Sequence, residues 1–305
     1  MQRILNSNQP VAWAFVPVTG LVLFLLAGAM DPSVLASWPG WFGIMAAARL
    51  LHLLHLESGM RTRPDSFPSW AWALMATPFL GDVSEVSWWA CCCLFMGLRF
   101  LMRLRDTDSS PGSFLFIGMW WGLAFLLEAL MWPWLPVCMI PAVLLKRPSA
   151  AEWMAWLMGL LAPLIFAATG VWLMEGVLRP CWGWNPVDGG FNLPILIGVL
   201  LPMGLGWVVR QQSLVRATAQ QRFSRQLTQW LGALGLLACG GLYAGNMIMG
   251  GGWMEARSVI PSVWSFLAAW SLPWLLPPGF RITRWMPYLF LLISVGLVLL
   301  RWGTF

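Results

Sequence analysis

The sequence predicts an all-α fold: a polytopic transmembrane helical bundle of about 10–11 spans with a cytoplasmic N-terminus, forming a single integral membrane domain over residues 1–305. Three features carry that expectation. Of the residues, 59% are hydrophobic and 10% charged, whereas soluble domains average about a quarter charged. Apolar runs approach the ~20 residues that cross a bilayer core. Basic residues collect at every second junction between those runs, as loops held on the cytoplasmic side require. Their side then follows span by span: Arg3, Arg61, Arg63, Arg99, Arg103, Arg105, Lys146, Arg147, Arg210, Arg216, Arg222, Arg225, Arg281 and Arg284 fall inside, fourteen of the eighteen.

The first run, 11 to 30, follows Asn8-Gln-Pro10 and has no small-residue cleavage site behind it, so it reads as a retained anchor. Asp31-Pro32 is a helix-ending turn before the second run, 34 to 56. The third, 67 to 81, is short and holds Pro68 and Pro78. A broken or re-entrant helix packed against protein fits it better than a plain span. The fourth, 83 to 104, ends among Arg99, Arg103 and Arg105. The fifth, 113 to 131, carries Gly118-x-x-x-Gly122, a spacing that lets helix backbones approach closely. The sixth, 132 to 147, holds Pro133, Pro136 and Pro141 and is the second candidate for a broken helix. Runs at 153 to 177, 191 to 209, 230 to 249, 258 to 277 and 285 to 303 complete the set, and Gly241-x-x-x-Gly245 lies in the ninth.

Between the eighth and ninth runs, residues 210–229 hold four arginines, Arg210, Arg216, Arg222 and Arg225, and no acid. This reads as a basic cytoplasmic amphipathic segment lying on anionic lipid. The net charge of +6 is spread over short loops. It lacks the compact patch that nucleic-acid binding needs, so the lipid bilayer and other membrane proteins are the expected partners. Six cysteines without a CxxC pair read as small apolar packing residues. The 24 tryptophans gather at span ends, where the indole ring is buried and its N–H stays wet. An aromatic belt is the ordinary reading, and a sugar-stacking platform at Trp132 and Trp182 is the functional one.

No GxSxG, HExxH, phosphate-loop or dinucleotide-binding pattern occurs. Candidate chemistry therefore rests on isolated ionisable groups, which are expensive in a membrane and so usually have a partner or a purpose. Seven acids fall at or near the outer face, among them Asp31, Asp82, Glu85, Glu128 and Asp188. Asp31 and Glu128 are the catalytic candidates, since an outward carboxylate can deprotonate an acceptor or hold a divalent cation. Membrane glycosyltransferases that use polyprenyl-phosphate sugars carry such an acid after the first span. Asp82, Glu85 and Asp188, with Trp132 and Trp182, are candidate substrate contacts. Arg49, His52 and His55 project within about 120° of one another on a helix and form a further candidate contact. Glu57 lies on another face, so no third metal ligand joins them and no metal site is expected. Any cofactor is left open.

The run Gly118-Met-Trp-Trp-Gly-Leu-Ala-Phe-Leu-Leu-Glu128 is followed by Trp132-Pro-Trp-Leu-Pro136, Lys146-Arg-Pro-Ser-Ala-Ala-Glu152-Trp153 and Gly159-Leu-Leu-Ala-Pro163. With Asn8-Gln-Pro10 and the arginine-ended helix at Arg99 to Arg105, these resemble a polytopic domain-of-unknown-function family widespread in Bacteroidota. The resemblance would cover most of the chain. It implies a bacterial inner membrane in a diderm envelope, and it brings no activity to any residue. This chain departs from the family in its dense tryptophan and in Glu128, where the family has aromatic residues. The functional expectation is an envelope-biogenesis protein handling a lipid-linked or membrane-bound substrate at the outer face, with glycosyl transfer as its chemistry. The alternatives are a non-enzymatic subunit of an inner-membrane assembly or secretion complex, and a transporter.

Overall fold

A computed structural model describes residues 10–57, 66–80, 85–104, 110–128, 147–176 and 286–302, with Met139 and Val143. Within these residues the secondary structure is helical and no strand forms. Numbered among the described residues, the helices are α1 (Pro10–Met30), α2 (Trp38–Glu57), α3 (Phe67–Ala76), α4 (Glu85–Arg103), α5 (Pro111–Leu127), α6 (Ala150–Glu175) and α7 (Met286–Trp302). Three stretches are long and apolar enough to cross a membrane: Pro32–Leu54, Glu85–Arg103 and Ala150–Glu175. The expected runs at 191–209, 230–249 and 258–277 and the basic segment 210–229 lie outside the described residues, as does 132–147 apart from Met139, Val143 and Arg147.

Helix α1 starts with Pro10 at its first position, where the missing N–H costs nothing. Pro17 removes a further donor inside the helix. Two residues on, the Thr19 hydroxyl donates back to the Phe15 and Val16 carbonyls at 2.8 and 3.1 Å. The same oxygen accepts the indole N–H of Trp70 at 2.9 Å, so a polar pair is satisfied inside an apolar core. Helix α2 returns antiparallel to α1, with Phe24 on Trp41 at 6.0 Å and Gly20 against the Met45 side chain.

The pairing of α2 with α4 organises the rest. Near the start of both helices, Gly40 and Gly43 lie against Trp88, and the Cys92 thiol donates to the Gly43 carbonyl at 3.3 Å. Near their ends, Glu57 meets Arg99 and Arg103. The two helices therefore run in the same direction, and the chain has to return between them. Part of the return is α3, continued by a 3-10 turn at Thr77–Phe79. All ten α3 residues are buried. Ten helical residues rise only about 15 Å, half of a ~30 Å hydrocarbon layer, so α3 is a short segment packed against protein. This is the broken-helix alternative expected for 67–81. Its neighbours supply aromatic rings: Phe15 stacks on Trp70, while Phe290 of α7 meets Phe67, and Trp88 and Phe95 of α4 meet Trp72, edge to face.

Helix α5 runs antiparallel to α4, with Trp121 on Gly97 and Phe116 on Phe100. The backbones of α5 and α6 approach each other closely. A Cβ added at Gly118 would lie 2.2 Å from the Trp156 carbonyl oxygen, and one at Gly122 would lie 2.3 Å from that of Leu160. Four residues on in one helix matches four on in the other, so α5 and α6 run in the same direction. From the α6 side, Gly159 meets the Leu115 carbonyl in the same way, at 2.2 Å. The Gly118 to Gly122 spacing has the architectural role its sequence implies. A capping box between Ser149 and Glu152 starts α6, and Gly176, at φ 69°, ends it in the left-handed conformation.

Tryptophan departs from a simple interfacial belt. Trp38 and Trp89 are exposed, but Trp88, like Trp70, Trp72 and Trp121, is fully buried. Packing against glycine and other rings claims these indoles first.

Substituting Leu at Gly118 or Gly122 is expected to force α5 from α6 and cost at least the ~1–3 kcal/mol typical of overpacking. Leu at Gly170, which has nothing within 4 Å of its added Cβ, is the matched control. Thermal unfolding in detergent reads the difference, and equal midpoints for the three variants would refute the close packing.

Candidate functional site

The helix directions sort charge to opposite ends. The C-termini of α1 and α5 and the N-termini of α2 and α4 share one end, which carries Asp31, Glu85 and Glu128. The C-termini of α2 and α4 share the other, which carries Glu57, Arg99 and Arg103.

At the acidic end Asp31 caps the 3-10 turn Pro32–Ser37, accepting the Ser33 N–H at 2.9 Å. Its backbone carbonyl takes the Val34 N–H at 3.1 Å. This is the turn-forming role of Asp-Pro, and it commits one carboxylate oxygen to the chain itself. Glu85 opens α4, where a carboxylate complements the positive end of the helix dipole. Two residues on, Ser87 is buried, and its hydroxyl donates a hydrogen bond to Glu128. Glu128 terminates α5 in extended conformation, with its N–H on the Ala124 carbonyl at 2.9 Å. A carboxylate at a helix C-terminus opposes that helix's own dipole. Antiparallel packing offsets this by setting Glu128 against the N-terminal turn of α4.

Of the sequence-predicted acids, the structure thus places Glu128 beside the helix that Glu85 opens, while Asp31 serves its own turn. Among the described residues no three His, Cys, Asp or Glu side chains gather as a metal site. Arg49 is exposed on α2, whereas His52, three residues on, is 1% exposed and turned into the core, so this stripe straddles the edge of the packed face. Asp82, Asp188, Trp132, Trp182, the side chain of His55, and Arg210, Arg216, Arg222 and Arg225 lie outside the described residues.

Two arrangements escaped sequence reasoning. The first is the Ser87–Glu128 bond, whose partners are 41 residues apart and on different helices. Only the antiparallel pairing of α4 and α5 reveals it. The second is at the arginine end, where one Glu57 carboxylate bridges two guanidiniums. Arg99 Nε donates to its two oxygens at 3.0 and 2.9 Å and Arg99 Nη2 donates at 2.6 Å, while Arg103 donates through Nε at 3.2 Å and Nη2 at 2.7 Å. The sequence carried little signal for it, since Glu57 is one of five acids on the arginine-rich side, with Asp65, Asp106, Asp108 and Glu152. Burial pushes the Glu57 carboxyl up, but hydrogen bonds and charge from Arg99 and Arg103 outweigh it and hold it below the usual carboxylate range.

Compared with protein-family models, curated proteins and solved structures, the chain matches none of them. The resemblance described above therefore rests on the quoted residues alone.

Because the folded-state value of Glu57 is depressed, its clamp contributes stability above the ordinary value of 4.5 and loses it as pH falls through the lower folded value. Glu57→Gln is expected to cost about 1–2 kcal/mol at neutral pH, given its partial exposure. The variant should also show less acid destabilisation than the parent between pH 5 and about 3. Parallel acid-unfolding curves for parent and variant would contradict the clamp.

Proposed function

We propose that this chain is a multi-pass protein of a bacterial inner membrane, with its N-terminus in the cytoplasm. In this reading it serves envelope biogenesis by handling a lipid-linked or membrane-bound substrate at the outer face, with glycosyl transfer as the chemistry. The charge sorting supports the orientation, since loops rich in arginine are retained on the cytoplasmic side. That orientation sets the acidic end outside.

The single observation behind the reaction class is the Ser87–Glu128 bond. It puts a carboxylate oxygen where a hydroxyl already donates to it, at the rim of the helix packing. A substrate hydroxyl presented to the same oxygen is positioned for general-base deprotonation, after which its oxygen can attack an activated sugar carbon. Glu128 is the base in this reading. Asp31 and Glu85 lie at the same end, and Asp82, Asp188, Trp132 and Trp182, outside the described residues, keep in this reading the substrate-contact roles expected from the sequence.

A second reading has its own support. The distal half of α6 exposes Ile165, Phe166, Leu173 and Met174, an apolar surface suited to lipid or to a neighbouring membrane subunit. Under that reading the protein is a non-enzymatic member of an inner-membrane assembly.

Complementation of a deletion strain separates the two. Glu128→Gln, isosteric and able to keep a hydrogen bond from Ser87, is expected to abolish function at unchanged protein level, with Ser87→Ala retaining it. Full activity of Glu128→Ala together with Asp31→Ala ends the catalytic reading. A stoichiometric partner retained in mild detergent would then support the assembly.

A further inference from the structure

We draw no further inference here: the strongest candidate, the apolar face that exposes Ile165, Phe166, Leu173 and Met174 along the distal half of α6, carries nothing, because nothing in the structure shows what covers it.

Discussion

The structure depends on two neighbouring helices, α2 and α4, that run in the same direction. Gly40 and Gly43 let Trp88 lie close to the α2 backbone at one end, and the Glu57 carboxylate ties both helices at the other. A parallel pair cannot be joined by a short turn. The chain must come back, and α3 is the buried part of that return. Because α3 is too short to cross a hydrocarbon layer, its ends need cover from protein, and α1, α2, α4 and α7 provide it. The aromatic density follows from that task. Trp70, Trp72 and Phe67 fill the space around a half-length helix with few atoms that require hydrogen bonds.

The same constraint explains how charge is arranged. Once α2 and α4 are parallel and α5 is antiparallel to α4, Asp31, Glu85 and Glu128 come to one end, and Arg99 and Arg103, with Glu57, to the other, although tens of residues separate them in the chain. Each end then solves its electrostatics locally. Asp31 caps a turn, Glu128 borrows the dipole of a neighbouring helix, and Glu57 holds two arginines. One end gathers two arginines about Glu57 and the other gathers Asp31, Glu85 and Glu128, so the two ends differ in chemistry.

Much of the helical framework was legible in the sequence because hydropathy and glycine spacing act locally. The runs at 11–30, 34–56, 83–104, 113–131, 153–177 and 285–303 each coincide with a described helix, and Gly118 and Gly122 meet a partner backbone as their spacing implies. Pro68 and Pro78 marked 67–81 as irregular for the right physical reason, since proline lacks the donor a continuous helix needs. The burial of Trp88 was not legible, because composition cannot say whether a glycine on another helix has made room for an indole. The candidate site was legible only as separate residues. Glu128 stood out as a carboxylate deep in an apolar run, but its donor Ser87 has no local signature, and helix pairing alone brings them together. Glu57 was set aside for pointing away from His52. That same direction carries it to Arg99 and Arg103.

Sidedness is the claim on which the functional reading rests, and labelling with a membrane-impermeant maleimide tests it most directly. Single cysteines at Ser33 and Arg103 are introduced into a chain whose six native cysteines have been replaced, and intact spheroplasts are compared with permeabilised ones. The expected result is labelling of the Ser33 position in intact spheroplasts, and of the Arg103 position only after permeabilisation. Labelling of both positions from the same side, or the reverse assignment, would contradict the orientation that sets the acidic end outside.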